Sequence, residues 1–349
     1  MLAGYLANAY LFLALAYIGD VGDSLGIASP SWIAAIAYTV FGVFTWLLVH
    51  EYGHRLAGAA LGWQCVRFGF GPLEFARTRE GWKRERVKML WGAFVRQMPS
   101  SFAHYRREKS ITLISGALAN VIFAVACGAV ALSVRNAVVF PLFGRLAILS
   151  FTGVFSLIPH RSGDIASDGY NLWHLRRGGE YADSMQRESL AEASNHTALR
   201  HRDWPRDLIK RLAEGSDSYN LFLGYLQSLD AGEVDTASSY MSRLIAQLPE
   251  KEPFAYYAYE AAYWLAVYRQ DPEAARQWID RVPPDQVPDL RLRAEAAVAL
   301  ATGQADEAAR LAKRALEEQG EIRCGTDLYQ TDRLHDLLAR LPAATAAAR

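Results

Sequence analysis

"WLLVHEYGHRLAGAALGW", residues 46–63, sets two histidines and a glutamate in a stretch that otherwise reads as membrane helix. Ionisable side chains are expensive at bilayer depth, so they persist there where they pair, coordinate or react. HExxH on a helix puts His50 and His54 on one face, about one turn apart. Neutral imidazoles suit Zn2+, and a catalytic zinc takes three protein ligands while leaving a position for water. Glu51 is rotated away from the ligand line, where its carboxylate can take a proton from water attacking a carbonyl. Gly53 adds no bulk beside the ligands. The string alone is not rare enough to decide the matter, but its setting is distinctive. Outside the motif no charged residue occurs between Asp23 and Arg55, and a buried His–Glu–His cluster without a metal would be costly.

Working outward, four apolar segments emerge, at about 2–19, 32–60, 111–134 and 138–160. Each is near or above the roughly 20 residues a helix needs to cross a bilayer. The first lacks a positive leading region and a small-x-small cleavage site, so it reads as an anchor rather than a signal peptide. In the fourth, Arg145 is expected to snorkel towards the interface. Residues 61–110 carry 11 Lys or Arg, whereas the 20–31 loop has Asp20 and Asp23 and no Lys or Arg. The positive-inside rule then puts 61–110, the amino terminus and everything after Pro159 in the cytoplasm, with the protein in the inner membrane. Within 64–100, "CVRFGFGPLEFAR" and "KMLWGAFVRQMPS" have the content of short strands joined by a turn, a small cytoplasmic or re-entrant element.

The 349 residues balance to zero net charge, but unevenly. Residues 1–160 hold 14 Lys or Arg against 7 Asp or Glu, and the remainder holds 23 against 30. A basic, apolar half joined to an acidic, charge-rich half implies two solvents, and nothing in the pattern calls for a nucleic-acid partner. Three scattered cysteines, Cys65, Cys127 and Cys324, argue against a disulfide framework. From about 216 the chain turns helical and repetitive. With Gly232, Gln270 and Gly303 taken as equivalent, successive copies lie 38 and 33 residues apart. That is similar to tetratricopeptide repeats, whose period is about 34 residues and whose helix pairs stack into a binding solenoid. The expected fold is therefore mainly α. A polytopic membrane domain spans 1–175, a juxtamembrane helix and linker 176–204, and a cytoplasmic helical repeat domain 205–349.

A third zinc ligand has to come from elsewhere. "SGALANVIFAV" (115–125) and "SLIPHRSGDIASDGYNLWHL" (156–175) follow the HExxH helix. With it they resemble the site-2 protease family of intramembrane zinc metalloproteases, over roughly residues 40–175. The resemblance implies His50 and His54 as zinc ligands, Glu51 as the catalytic glutamate and Asn120 as a substrate-binding residue. An aspartate of the last segment would be the third ligand. Ala117 stands where the family has proline, and Ser156 where it has asparagine. Asp164 keeps the common spacing from Pro159 but precedes Ile165. Asp168 lies further on but forms the Asp-Gly pair before an apolar helix and is favoured, with Asp164 the alternative. The family further implies that an extended substrate adds a strand beside the site, since a helix must unwind before its peptide bonds are reachable.

The expected partner is then a membrane-embedded protein substrate, commonly a tethered regulator in this family, with a possible regulatory protein on the repeats. His104, His160 and His174 are nearby candidates for ligands or proton carriers, more simply read as surface or interfacial histidines. Two other readings stay open. One is another class of membrane-anchored zinc peptidase with a glutamate as third ligand, from Glu74, Glu80, Glu85 or Glu108. The other is a non-catalytic scaffold that works through its repeats.

Overall fold

In the computed structural model the described residues are 20–78, 81–86, 92–134, 136–163, 165–215, 217–249 and 253–341. The 2–19 segment, Asp164 and Glu80 lie outside them. The chain divides into two compact units, Met1–Ser189 and Leu190–Arg349.

In the first unit, three helices among the described residues are long and apolar enough to cross a membrane: Trp32–Ala60, Tyr105–Ser133 and Val139–Leu157. Helix α1 (Trp32–Ala60) starts where the Ser31 hydroxyl accepts from the Ala34 N–H, a serine N-cap. Its 29 residues extend about 43 Å at the usual helical rise, more than the roughly 30 Å hydrocarbon core. Its only buried residues are Gly42, Gly53 and Gly58, while Trp32, Ile36, Phe41 and Leu48 face outward. Helix α2 (Tyr105–Ser133) crosses it where the residues are smallest. A Cβ on Gly53 would come within 2.6 Å of Ala119 Cβ and of the Ser115 carbonyl oxygen. Such close backbone approach is how helices gain contact where lipid offers no hydrophobic drive between them.

Helix α3 (Val139–Phe151) runs on as a 3-10 turn, Thr152–Leu157, and Leu149 packs against Gly42 of α1. Arg145 does not snorkel. It is buried, and its Nη1 donates to the Pro141 carbonyl at 3.0 Å, an acceptor within its own helix.

Between α1 and α2 lies an antiparallel sheet of β1 (Gln64–Phe70), β2 (Leu73–Thr78), β3 (Gly81–Arg86) and β4 (Ala93–Met98), in the order β3-β2-β1-β4. Gly71, at φ +55°, makes the two-residue turn between β1 and β2. Lys83 and Arg84 thus belong to a strand paired with β2. Among the described residues strand β4 pairs only with β1 and forms the sheet edge nearest α1. A short hairpin, β5 (Arg161–Ser162) and β6 (Ile165–Ala166), leads into α4 (Asp168–Arg177), and α5 (Glu180–His196) carries the division between the units.

Among its described residues the second unit has only helices as regular elements: α6 (Arg206–Glu214), α7 (Ser218–Asp230), α8 (Val234–Ile245), α9 (Ala255–Tyr268), α10 (Pro272–Asp280), α11 (Pro288–Ala301), α12 (Ala305–Gln319) and α13 (Gly325–Ala339). Helices α7–α8, α9–α10 and α11–α12 are joined by short turns. In those turns Gly232, Gln270 and Gly303 all take positive φ, at 78°, 53° and 76°. The three positions equated in the sequence therefore share one left-handed backbone conformation. The core is rich in large side chains: Tyr225, Tyr259, Tyr263 and Met241 are fully buried. In it Arg293 pairs with Glu260 at 2.8 Å and lies 4.7 Å from the centre of the Tyr263 ring.

Candidate metal centre

His50 and His54 stand one turn apart near the carboxyl end of α1, with ring centroids 4.7 Å apart. Each ring is held by its Nδ1. His54 Nδ1 donates to the Thr112 carbonyl of α2 at 2.6 Å. His50 Nδ1 donates to the Asn120 carbonyl oxygen at 3.1 Å, and that oxygen also accepts from the Trp46 indole at 3.0 Å. With the Nδ1 protons so committed, both neutral imidazoles present an Nε2 lone pair. This is the arrangement that orients metal-binding histidines.

Asp168 meets those lone pairs. Its Oδ2 lies 3.0 Å from His50 Nε2 and 3.5 Å from His54 Nε2. The local sequence explains how it arrives there. Ser167 caps α4 by accepting from the Tyr170 N–H, so Asp168 opens the first turn, where a helix favours negative charge. Gly169 packs directly on the Leu157 carbonyl, which leaves no room for a side chain. Gly116 of α2 forms the floor. A Cβ there would come within 2.6 Å of His54 Nε2 and 2.8 Å of His50 Cε1.

The donor set fits a metal such as zinc. Two imidazole Nε2 atoms and one carboxylate oxygen converge within 3.5 Å, while each ring's Nδ1 is engaged elsewhere. A cation between them satisfies all three. The Glu51 carboxylate lies within 4.8 Å of the histidine donors and takes a hydrogen bond from the Val95 backbone of β4. Strand β4 is fastened to α1 a second time where Gln97 Nε2 donates to the His54 carbonyl at 2.8 Å. The centre opens on a cavity of about 620 Å³, bordered by Ala93–Val95 of β4 and by Lys109, Phe155 and His160.

Sequence reasoning singled out His50, Glu51, His54 and Asp168, and the structure brings all four together. Asn120, expected at the substrate, is fully buried with its amide against His50 and does not border the cavity. Of the spare histidines only His160 borders the cavity; His174 lies tilted between the rings of Tyr170 and Tyr181, and His104 is exposed at the start of α2. Glu74 pairs with Arg67, and Glu108 accepts from the Trp63 indole, both away from the centre. Thr112, Trp46, Gln97 and Lys109 were not anticipated. Thr112 acts through its backbone carbonyl, which leaves no mark in a sequence.

Lone-pair donors held between membrane-length helices, with the Glu51 carboxylate alongside, define a metal centre built inside a membrane bundle. Comparison with family models agrees. Peptidase family M50 matches residues 38–282, more than half of the chain, and the chain belongs to that family of membrane-embedded metalloproteases, the site-2 protease family. Searches of curated proteins and of solved structures find no match.

Proposed function

We propose that this protein is an intramembrane zinc protease that hydrolyses a peptide bond in or near a transmembrane segment of a membrane-tethered regulatory protein. The convergence of the His50, His54 and Asp168 donors carries the reading. Those three residues would hold the zinc, which supplies Lewis acidity and makes water acidic enough to attack near neutral pH. Glu51 takes the proton of the attacking water and returns it to the leaving amine. Thr112 and Asn120 keep the imidazoles in register as positioning residues. The edge position of β4 supports the binding of substrate as an added strand, which would carry an unwound peptide past Glu51.

The charge pattern favours cytoplasmic placement of the 61–110 region and of the helices after residue 205, in an inner membrane. The left-handed turns at Gly232, Gln270 and Gly303 support a tetratricopeptide-like array, which would select or restrain substrate.

The test compares cells carrying the wild type and Glu51→Gln, scoring fragments of single-span membrane proteins, with zinc measured in both purified proteins. The expected result is zinc retained and fragments lost, by about 10²–10⁴ in rate; unchanged cleavage would sink the mechanism. Asp168→Asn should lower zinc content, and wild-type zinc in that variant removes Asp168 from the ligand set. Deleting the chain beyond residue 205 should change which proteins are cut while zinc content stays the same.

A further inference from the structure

Lys109 is a cation on the wall of the cavity at the metal centre, and neither holding the metal nor activating water uses it. It belongs to one stripe of α2. Lys109, Thr112, Gly116 and Asn120 recur at helical spacing and share the face turned to α1. Thr112 and Asn120 hold the two imidazoles, and Gly116 packs beneath them. The Thr112 hydroxyl donates to the Lys109 carbonyl at 2.8 Å, so Lys109 stands one turn before the His54 anchor.

The ammonium lies 5.8 Å from the centre of the Trp63 ring, and nothing negative closes on it. Its neighbour Glu108 is committed to the Trp63 indole N–H at 2.8 Å, and among the described residues no carboxylate pairs with Lys109. The charges whose fields reach it there are Asp168, a member of the donor set, and Arg96 of β4, a second cation. A divalent metal balances Asp168 and Glu51, which leaves Lys109 as net positive charge on the wall. A peptide laid in the cavity covers that ammonium from water, and a covered charge is costly unless an opposite one meets it. Position says where the opposite charge comes from. Lys109 and Gly116 are seven residues apart, about 10 Å along the helix. Helical side chains lean towards the amino end, so the ammonium is directed away from the metal donors and from the reacting carbonyl. An extended peptide advances about 3.3 Å per residue, which brings Lys109 beside a substrate side chain about three residues from the bond that is cut.

We propose that Lys109 selects substrates carrying an aspartate or glutamate about three residues from the scissile bond, by pairing its ammonium with that carboxylate. A lysine or arginine at the same place meets like charge and is rejected. This role rests on the protease reading of the centre, whereas the pairing itself is measured without any cleavage.

The test uses the full-length Glu51→Gln chain, zinc-loaded in nanodiscs, and fluorescence anisotropy with short labelled peptides of valine, threonine and alanine. Their central residue is Glu, Gln or Lys, and empty nanodiscs correct for lipid partition. The Glu peptide is expected to bind about tenfold tighter than the Gln peptide, as a charge-assisted hydrogen bond gives, and the Lys peptide more weakly than either. Lys109→Arg should keep that order, Lys109→Gln level it and Lys109→Glu reverse it, with zinc content equal in all. With Glu51 restored, mass spectrometry should place the cut about three residues from the glutamate. Equal binding of the Glu and Gln peptides, binding of neither, an order unchanged in Lys109→Glu, or a cut at the glutamate itself each overturns the proposal. Binding in the expected order with no cleavage by the wild type leaves the pairing standing and removes the protease reading instead.

Discussion

The two units turn their large side chains in opposite directions. In the first, Trp32 and Leu132 are 73% and 74% exposed, and the buried residues of α1 are glycines. In the second, Tyr225, Tyr259 and Tyr263 are fully buried, and small residues such as Gly232 and Gly303 mark the turns. Water drives the second arrangement by expelling apolar area. In lipid that drive is absent between helices, so contact comes from bringing backbones together. The first unit should therefore tolerate loss of an outward side chain and resist added volume at its glycines, and the second should do the reverse.

The largest effect expected falls in the second unit. Arg293→Met leaves the Glu260 carboxylate buried without its cation, at a cost of about 3–5 kcal/mol. Faster hydrogen exchange across α9 and α11 in the full chain would report it. In the first unit, Gly116→Val drives a side chain into both histidines, and a displacement near 1 Å lowers turnover by at least about a hundredfold. Ile122→Ala, on the outward face of the same helix, should stay within about 0.5 kcal/mol. If the two substitutions in α2 behave alike, the contrast between the units fails.

A third effect depends on pH. His201, facing Asp230, Glu260 and Arg200, is held from its ordinary 6.5 down to about 4 by burial. Between those values the unfolded chain binds more protons, so stability is present above pH 6.5 and lost as pH falls. From pH 7.5 to 5 the second unit should lose about 2 kcal/mol, read by denaturant unfolding, and His201→Gln should flatten the profile. Smaller than the pH effect is that of Gln270→Gly. Gln270 holds φ +53° where Gly232 and Gly303 hold the same turn without a Cβ, so glycine should stabilise by about 1 kcal/mol. A loss of stability there would break the equivalence of the three turns.

How much of this was readable in advance differs between the units for the same physical reason. Lipid imposes long apolar runs, so α1, α2 and α3 were visible as segments, although α2 begins six residues before its apolar run, at charged residues. HExxH was visible because one turn of helix carries both imidazoles. Asp168 was harder, since its reach depends on the cap at Ser167 and the close packing of Gly169, which only a fold assembles. Asn120 was singled out for substrate, and its histidine neighbour was not foreseen. Its amide is matched to a histidine ring 70 residues away.

Gly53 and Gly116 have one more consequence, which is mechanical. With only the Ala119 methyl and the two imidazoles packed against these glycines, little at the crossing can deform to absorb a change in helix tilt. His54 sits on one helix and its Thr112 anchor on the other, so tilting either strains that hydrogen bond directly. Hydrophobic mismatch with the surrounding bilayer is relieved by tilt. The thickness of the membrane thereby becomes a variable in the geometry of the centre, and lipid chain length a means of tuning it.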